Sequence, residues 1–279
     1  MSGKLYIVAT PIGNLKDMTF RAVEILKTCA LILAEDTRQT HKLLSAYTIE
    51  TSAVSYHKFN EKSRVAEIIA LLSDGKDIAL VSDAGTPLIS DPGHIIVKEC
   101  LEAGFETEAI PGASSALAAL VISGFNPTKF MFVGFLSKKE NEQKTQLEAL
   151  RTFENPVIIF EAPARVKKTL AVIKQSFGDI PVAVVKELTK IYETVFRGKI
   201  SEIIKNIKEE QLKGEFIIIL GPQRGEAVEN EKKPVALRIQ ELVNTGIKSN
   251  EAAKIIAVEY GLKKSDAYRM ITEASPGKK

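Results

Sequence analysis

One stretch, residues 78–93, sets the fold class of this chain; it reads Ile-Ala-Leu-Val-Ser-Asp-Ala-Gly-Thr-Pro-Leu-Ile-Ser-Asp-Pro-Gly. The first four residues are apolar and partly β-branched, which predicts a strand buried on both faces of a sheet. From Ser82 the stretch becomes a polar, turn-rich loop that is too long for a minimal link between a strand and a helix. Ligands of open α/β sheets bind at the carboxyl ends of the strands. The loop is therefore either an ordinary connection or part of a ligand site, and similar loops elsewhere favour the site.

The residues around this stretch alternate between strand and helix patterns. Short apolar runs predict strands at 4–9, 31–34, 52–56, 78–81 and 107–110. Runs with helical spacing predict helices at 20–29, through Leu43 and Leu44, at 65–72 and at 95–103. Regular alternation of this kind predicts a parallel sheet with helices on its faces.

Polar loops follow three more strands of the predicted sheet. They are Thr10-Pro11-Ile12-Gly13-Asn14-Leu15, Glu35-Asp36-Thr37-Arg38 and Pro111-Gly112-Ala113-Ser114-Ser115. The last loop places a Gly-Ser-Ser turn before an Ala- and Leu-rich helix, whose free amide hydrogens can hold a polar ligand atom. A single N-cap serine is the alternative interpretation, and it explains only one of the two serines. The first loop lacks the glycine fingerprint of dinucleotide-binding folds.

Beyond residue 125 the pattern indicates a second α/β region and then a helical end. Predicted strands lie at 130–135, 156–160, 182–185, 192–196 and 216–220, in a mixed sheet with a hairpin around Gly198. A charged segment at 136–144 leads into a predicted helix that ends at Phe153. Helical runs at 237–243, 252–258 and 267–271, with a turn at Gly261, are similar to a helix-turn-helix unit. We expect an N-terminal α/β domain at 1–125, a second α/β domain at 126–222, a linker at 223–233 and a basic helical unit at 234–279.

Composition and charge narrow the possible functions. Cys29 and Cys100 lie in apolar helical patterns, which is typical of reduced core residues in a cytosolic protein. No apolar run reaches the length of a membrane span, and the three histidines are scattered, so neither a membrane helix nor a metal site is predicted. Residues 232–279 carry ten Lys or Arg and five Asp or Glu, in a chain whose net charge is +3. This basic end favours a polyanionic partner.

Six motifs together resemble those of the ribosomal RNA small-subunit methyltransferase I family, which belongs to the tetrapyrrole methylase superfamily. The motifs are Val8-Ala9-Thr10-Pro11-Ile12-Gly13-Asn14-Leu15, Ala34-Glu35-Asp36-Thr37-Arg38-Gln39-Thr40, Ser82 through Gly93, Pro111-Gly112-Ala113-Ser114-Ser115, Glu161-Ala162-Pro163-Ala164-Arg165 and Lys186-Glu187-Leu188-Thr189-Lys190. They follow the order of the family, and the resemblance covers residues 4 to 221. It implies the fold of the class III S-adenosylmethionine methyltransferases, in which two α/β domains enclose a cofactor cleft, here with a small C-terminal helical unit.

The resemblance also implies a function. It is that of a cytoplasmic homodimer that uses S-adenosylmethionine to methylate the 2′-oxygen of a cytidine in 16S rRNA, on free RNA or on the small ribosomal subunit. The implied cofactor-binding residues are Pro11, Asp83, Ala84, Gly85, Thr86, Ile89, Ser114, Ser115 and Glu161. Tetrapyrrole enzymes of the superfamily carry Gly-x-Gly-Pro-Gly in the first loop and Gly-Asp-Pro where this chain has Gly85-Thr86-Pro87. Both departures argue against a porphyrinoid substrate.

A ribose 2′-hydroxyl is a weak nucleophile, so a carboxylate that accepts its proton promotes methyl transfer. Asp36, at a predicted strand end, is the first candidate for this base, and Arg38 would then hold the adjacent phosphate. The alternative is that Asp36 caps the following helix and pairs with Arg38. Glu187 and Lys186 form the second candidate pair.

Two other functions explain part of the sequence. A methyltransferase of the same fold that acts on a small molecule, such as a tetrapyrrole, leaves the basic end without a purpose. A non-enzymatic RNA-binding protein explains the basic end but not the stiff, glycine-containing loops at the strand ends. Binding of S-adenosylmethionine separates this last function from the two enzymes. The sequence favours the RNA methyltransferase.

Overall fold

The chain divides into two compact units, 1–223 and 224–279. A computed structural model describes residues 2–222, 235–244, 247, 249–260 and 262–274. The predicted linker at 223–233 therefore lies outside the described residues. Within the described residues, no helix has the length and apolar character needed to cross a bilayer.

The first unit is built from two sheets and their covering helices. Its strands are β1 Leu5–Val8, β2 Leu31–Ala34, β3 Ala53–Ser55, β4 Ile78–Val81, β5 Thr107–Ile110, β6 Met131–Phe135, β7 Val157–Glu161, β8 Pro181–Lys186, β9 Thr194–Lys199 and β10 Phe216–Leu220. Its helices are α1 Phe20–Thr28, α2 Thr37–Ala46, α3 Glu61–Ser73, α4 His94–Glu102, α5 Ser115–Ser123, α6 Glu140–Glu148, α7 Val166–Phe177 and α8 Ile200–Asn206.

The first sheet is parallel, in the order β3-β2-β4-β1-β5. All four residues of the central strand β4 are buried. Alternate residues of a strand point to opposite faces. Ala79 and Val81 accordingly pack with α1 and α2 on one face, while Ile78 and Leu80 pack with α3 and α4 on the other. The predicted parallel sheet around residues 78–81 is confirmed.

The second sheet is mixed, as predicted, in the order β6-β7-β10-β8-β9. Strands β6 and β7 are parallel, and the remaining pairs are antiparallel. Helices α6, α7 and α8 cover one face, and α5 packs on the other through Ala116, Ala119 and Leu120. Because α5 directly follows β5, its packing joins the carboxyl edge of the first sheet to the second sheet. Ile12 and Leu188 belong to the same apolar cluster.

The structure refines two predicted elements of the second half. Gly198 lies inside β9, opposite Val182, in the antiparallel hairpin of β8 and β9, so the predicted hairpin-like pairing around it is confirmed. The turn between β8 and β9 lies at 187–193 and uses the left-handed residues Glu187 and Thr189, with φ of 52° and 64°, so glycine does not mark it. Helix α6 begins within the segment at 136–144, where Glu140 and Lys144 pair one turn apart. Helices α7 and α8 were not predicted.

The second unit contains three helices among its described residues, α9 Val235–Asn244, α10 Ser249–Tyr260 and α11 Lys264–Ala274. Ile239, Ile256 and Ile271, one from each helix, meet in its small apolar core. Arg238 pairs with Glu241 and Glu259, which ties α9 to α10 and raises the pKa of the guanidinium. The predicted helices of this region are confirmed.

Candidate functional site

Three loops meet at the carboxyl edge of the first sheet and are fastened to one another. Thr10 and Gly85 exchange two backbone hydrogen bonds: the Thr10 N–H donates at 2.9 Å and the Gly85 N–H at 3.0 Å. The Thr10 hydroxyl donates to the carbonyl of Ser82, and the Thr86 hydroxyl donates to the carbonyl of Ala113, each at 3.2 Å. Gly85 has φ of +78°, a conformation that favours glycine. The loops at 9–15, 82–93 and 111–115 thus form one structure.

The loop after β4 holds unusual backbone conformations. Leu88 and Ser90 are left-handed, with φ of 72° and 71°. Each such residue costs about 1–3 kcal/mol and persists only where its surroundings fix it. Gly93, at φ of +134°, leaves no room for a Cβ, which would lie 2.6 Å from a methyl group of Leu80. The shape of this loop is therefore imposed by its surroundings, as expected of a ligand-binding loop.

The first cavity lies between this edge and the second sheet and has a volume of about 360 Å³, which suits a small-molecule ligand. Residues from both halves of the first unit line it. They are Ile12, Ala84, Gly85, Thr86, Ile89, Ser90, Asp91, Ser114, Ser115, Ala116, Phe135, Phe160, Glu161, Ala162, Pro163, Val185, Leu188, Gly214, Glu215, Phe216 and Ile217. The charged members of this set, Asp91, Glu161 and Glu215, are all acidic, so the cavity favours a cationic ligand.

Asp91 is the titratable group of the first cavity with the most strongly shifted pKa. Burial raises the pKa of Asp91 to about 6, and the carboxylates of Glu35 and Asp83 push it in the same direction. A hydrogen bond from Ser82 acts against them. Asp91 is therefore negatively charged at neutral pH and becomes neutral in mildly acidic solution.

Glu161 contributes a buried carboxyl group to the wall of the first cavity. Its side chain, at the end of β7, is fully buried. Oε2 accepts the hydroxyl proton of Thr169 at 2.5 Å, and Oε1 accepts the N–H of Ala162 at 2.7 Å. Thr169 in turn accepts the side-chain amide of Gln143 at 3.1 Å, and the Arg165 Nε lies 3.4 Å from Oε1. Partners on both oxygens hold this buried carboxylate in one position.

Helix α5 presents its N-terminus to the same cavity. Ser114 occupies the N-cap position, yet its hydroxyl makes no capping hydrogen bond. Ser114 and Ser115 both line the cavity. The free amide hydrogens of the first turn and the two hydroxyls can therefore bind an anionic or polar ligand group. This arrangement agrees with the ligand-binding interpretation of the Gly-Ser-Ser turn.

A second cavity of about 300 Å³ adjoins the first. The two cavities share Ile12, Ala84 and Glu215. The complete lining of the second cavity is Thr10, Pro11, Ile12, Gly13, Leu15, Gln39, Lys42, Leu43, Asp83, Ala84, Lys190 and Glu215. Unlike the first cavity, this one contains lysines. The site therefore has an acidic compartment and a neighbouring compartment of mixed charge.

Most of the predicted cofactor-binding residues line the first cavity. They are Ala84, Gly85, Thr86, Ile89, Ser114, Ser115 and Glu161. Pro11 and Asp83 line the second cavity instead. Their assignment to the cofactor stays a prediction.

Asp36 and Arg38 lie at the start of α2 and line neither cavity. Oδ1 of Asp36 accepts the backbone N–H of Arg38 at 2.9 Å and its Nε at 3.0 Å, while Oδ2 accepts Nη2 at 2.6 Å. The hydrogen bonds from Arg38 hold the pKa of Asp36 at about 2. This is the helix-cap arrangement named above as the alternative. A role for this pair in turnover stays a prediction.

Glu187 and Lys186 also lie outside the lining of both cavities. Oε1 of Glu187 accepts the Lys190 ammonium at 2.9 Å and the backbone N–H of Glu215 at 3.0 Å. Burial pushes the pKa of Glu187 upward, but the hydrogen bonds from Lys190 and Glu215 outweigh it, so the pKa is lowered. Gly214 provides the necessary space, since its Cβ would lie 2.1 Å from Oε1 of Glu187. Glu187 therefore fastens the turn at 187–190, and its catalytic role stays a prediction.

Seven polar residues that line the cavities are absent from the predicted site residues. Ser90, Asp91 and Glu215 line the first cavity, and Thr10, Gln39, Lys42 and Lys190 line the second. Asp91 lies inside the quoted loop, Gln39 lies inside the motif that contains Asp36, and Lys42 lies one helical turn after Gln39. The spacing of Lys42 from Gln39, which places them on one helix face, was the available signal. Glu215 carried no local signal, because the pairing of β10 with β7 and β8 brings it to the site.

Comparisons with known proteins identify the family. The family model for Tetrapyrrole (Corrin/Porphyrin) Methylases matches residues 4–204. A Bacillus subtilis protein named Ribosomal RNA small subunit methyltransferase I is 45% identical over 271 residues, or 95% of this chain and 93% of that protein. The chain belongs to the ribosomal RNA small subunit methyltransferase I family. The resemblance stated from the sequence motifs is thus confirmed.

Other relatives agree with this assignment. A Thermotoga maritima protein of the same name is 44% identical over 218 residues, which are 78% of this chain and 98% of that protein. Cobalt precorrin-4 methyltransferase has a similar structure, with a TM-score of 0.58 at 18% identity over 78% of this chain and 94% of that chain. Diphthine synthase gives 0.62 at 14% identity over 79% and 90%. The predicted tetrapyrrole methylase-like α/β fold is confirmed.

Enzymes of this family use S-adenosylmethionine as the methyl donor, so the predicted cofactor is confirmed for the family. The first cavity fits this molecule. Its acidic wall suits the sulfonium and ammonium groups, and the N-terminus of α5 suits the carboxylate. Phe135 and Phe160, whose rings pack edge to face at 5.6 Å, give the cavity an aromatic wall that would suit the adenine.

Proposed function

We propose that this protein transfers a methyl group from S-adenosylmethionine to the 2′-oxygen of a cytidine in 16S rRNA of the small ribosomal subunit. Membership of the family supports methylation of ribosomal RNA. The proposal adds three details to this: the ribose oxygen as acceptor, the cytidine and the 16S rRNA. Two adjoining cavities, one acidic and one containing lysines, carry it, because the reaction joins a cationic donor to a polyanionic acceptor.

The residues of the first cavity would bind and orient the donor. Asp91 and Glu161 provide negative charge, while Ser114 and Ser115 provide hydroxyls beside the free amides of α5. S-adenosylmethionine, when bound there, supplies an electrophilic methyl carbon. The rigid loop around Gly85 keeps this part of the wall in place. Holding reactants in near-attack geometry supplies about 7–11 kcal/mol of the barrier reduction in favourable cases.

The residues at the mouth of the site would bind the acceptor strand. Lys42 projects from α2 into the second cavity, and Leu15 and Pro11 add apolar surface. Single-stranded RNA is recognised through phosphate contacts and through bases packed on apolar or aromatic surfaces. Lys42 offers a cation to a phosphate of the acceptor strand. The departures of the first loop and of Gly85-Thr86-Pro87 from the motifs of the tetrapyrrole enzymes favour RNA over the alternative of a tetrapyrrole substrate.

Nucleoside analysis tests the proposal. Purified protein is incubated with methyl-labelled S-adenosylmethionine and small ribosomal subunits or 16S rRNA that lack the modification, and the digested RNA is separated by mass spectrometry. We expect label in 2′-O-methylcytidine. Label on a base, or on another nucleotide, would replace the proposed acceptor while leaving the enzyme class intact. Cofactor binding without transfer to any RNA would contradict the function itself.

A further inference from the structure

Asp83 lines the second cavity but not the first, unlike the carboxylates Asp91, Glu161 and Glu215. It follows β4 directly and lines the second cavity, next to Ala84, which lines both cavities. Its Oδ1 accepts the backbone N–H of Asp36 at 3.0 Å. Its Oδ2 has no hydrogen-bond partner among the described residues. One oxygen is therefore anchored and the other is available to a ligand.

From this geometry we infer that the second cavity receives the acceptor nucleotide and that Asp83 accepts the proton of its ribose hydroxyl. The inference rests on the proposed function and names the base within it. The acceptor oxygen forms its bond to the methyl carbon as the carbon–sulfur bond breaks, and the electron pair of that bond stays on sulfur. The hydroxyl proton passes to Oδ2 of Asp83 and then to solvent.

The alternative base, Asp36, is poorly placed for this step. Both of its carboxylate oxygens are engaged by Arg38, and its side chain lines neither cavity. Its backbone N–H instead anchors Asp83. Asp36 is accordingly a positioning residue, which orients Asp83 through the main chain while its own side chain caps α2.

The surroundings of Asp83 raise its pKa, which makes its carboxylate a better proton acceptor. Partial desolvation raises the pKa of Asp83, and the negative charge of Asp36 also raises it. The hydrogen bond from the Asp36 N–H and the positive charge of Arg38 lower it, but by less. Other charged groups that face it or share its cavity are Glu35, Asp91, Lys42, Lys190 and Glu215. A bound nucleotide would exclude more water and raise the pKa further. A base is most effective when its pKa approaches the working pH.

Lys42 supplies the second feature of a nucleotide site. Its ammonium forms no ion pair within the described residues and donates to the Gln39 side-chain oxygen at 3.0 Å. Lys190, by contrast, is held by Glu187 and Glu215 at 2.9 and 3.1 Å. Lys42 is therefore the cation of this cavity that is available to a phosphate. The acceptor nucleotide would place its ribose near Asp83 and its phosphate near Lys42.

The experiment compares Asp83→Asn with Asp36→Asn in the full-length protein. Asparagine at position 83 keeps an oxygen for the Asp36 N–H but cannot take a proton. We expect Asp83→Asn to lower the single-turnover rate by roughly 10²–10⁴-fold. It should also abolish the acidic limb of the pH profile, in which the wild-type rate rises about tenfold per pH unit. Calorimetry should show unchanged affinity for S-adenosylmethionine, and Asp83→Glu should recover part of the rate.

A binding measurement tests the second cavity without turnover. Lys42→Met should weaken the affinity for a 16S rRNA fragment and reduce the slope of log affinity against log salt by about 0.7. Lys27→Met removes the same charge at the last turn of α1, at the opposite edge of the sheet, and should leave the slope unchanged. Equal effects of the two variants would overturn the placement of the nucleotide.

The outcomes distinguish this inference from the proposed function. An active wild-type protein whose Asp83→Asn variant keeps both its rate and its acidic limb overturns the inference alone. Loss of that limb in Asp36→Asn and not in Asp83→Asn would assign the base to Asp36. A wild-type protein that transfers no methyl group to a cytidine ribose overturns both.

Discussion

At the scale of single residues, the site depends on positions whose backbone conformation favours glycine and on carboxyl groups whose pKa is raised by burial. Gly85 is the first example. It has φ of +78° and pairs with Thr10 through two backbone hydrogen bonds. A Cβ added at this position would lie 3.2 Å from a methyl group of Ile12. A branched side chain at this position would enter the first cavity or push the loops apart.

We therefore expect Gly85→Val to abolish measurable binding of S-adenosylmethionine in calorimetry. Gly104→Val is the matched control, because Gly104 has φ of +81° but nothing within 4 Å of an added Cβ. Both variants should lose about 1–3 kcal/mol of stability from the strained backbone, and only Gly85→Val should lose the cofactor. Wild-type affinity in folded Gly85→Val would place the cofactor elsewhere.

Asp91 provides the second prediction at this scale. With a pKa of about 6, its carboxyl loses its charge as the pH falls through that value, and the attraction to a cationic cofactor weakens with it. Affinity for S-adenosylmethionine should therefore fall from neutral pH toward pH 5. Asp91→Asn should bind more weakly at neutral pH and show a flatter profile, with Glu35 and Asp83 as the remaining titrating neighbours. An equally steep profile in Asp91→Asn would remove Asp91 from the cofactor site.

At the scale of elements, the site forms where a loop of the first sheet touches the turn after β8. A Cβ on Gly13 would lie 2.5 Å from Cγ of Lys190, 2.8 Å from the Thr189 hydroxyl and 2.9 Å from the Leu188 carbonyl. Gly13→Ala should force the two segments apart and cost about 1–3 kcal/mol of unfolding free energy, measured by denaturant titration. Gly104→Ala, with φ of +81° and nothing within 4 Å of the added Cβ, is the control that carries backbone strain alone, so Gly13→Ala should be the less stable of the two variants. Equal stability of both variants would show that this contact is loose.

Some elements around the site can be predicted from the sequence and others cannot. The strand at 78–81 is predictable, because four apolar residues in a row followed by a turn-rich loop are typical of a strand buried on both faces. The turn at 187–193 was missed, since Glu187 and Thr189 are left-handed without being glycine. The second cavity could not be foreseen from local patterns. It requires α2, the loop at 9–15 and the turn after β8 to meet, and the packing of α5 on the second sheet sets that meeting.

At the scale of the whole molecule, the second unit is expected to add RNA affinity to a first unit that performs the chemistry. The Thermotoga maritima relative is matched almost completely by 218 residues, close to the length of the first unit. Among the basic residues of 232–279, Arg238 is engaged by two glutamates and Arg269 pairs with Asp266, whereas Lys254, Lys263 and Lys264 are exposed. Lys232, Lys233 and Lys248 lie outside the described residues. The homodimer and the cytoplasmic location stay predictions.

Replacing Lys254, Lys263 and Lys264 by glutamine should therefore reduce the slope of log RNA affinity against log salt. Each lost phosphate contact removes about 0.7–0.9 from the slope, so the triple variant should lose roughly 2–3 if all three contact phosphate. Affinity for S-adenosylmethionine should not change, because the cavity residues all belong to the first unit. An unaltered slope with full activity on rRNA would leave the second unit a role other than RNA binding, such as dimer contact.

A crystal structure of the protein with S-adenosylhomocysteine and cytidine tests the division of the site into two cavities most directly. The account predicts the cofactor product in the first cavity, between Asp91, Glu161 and the Ser114 turn, with its sulfur toward the wall at Ala84 that the second cavity shares. It predicts the cytidine ribose in the second cavity, with a hydroxyl in hydrogen-bond contact with Asp83. S-adenosylhomocysteine bound outside the first cavity, or a ribose that contacts Asp36 or Glu187 and not Asp83, would contradict it.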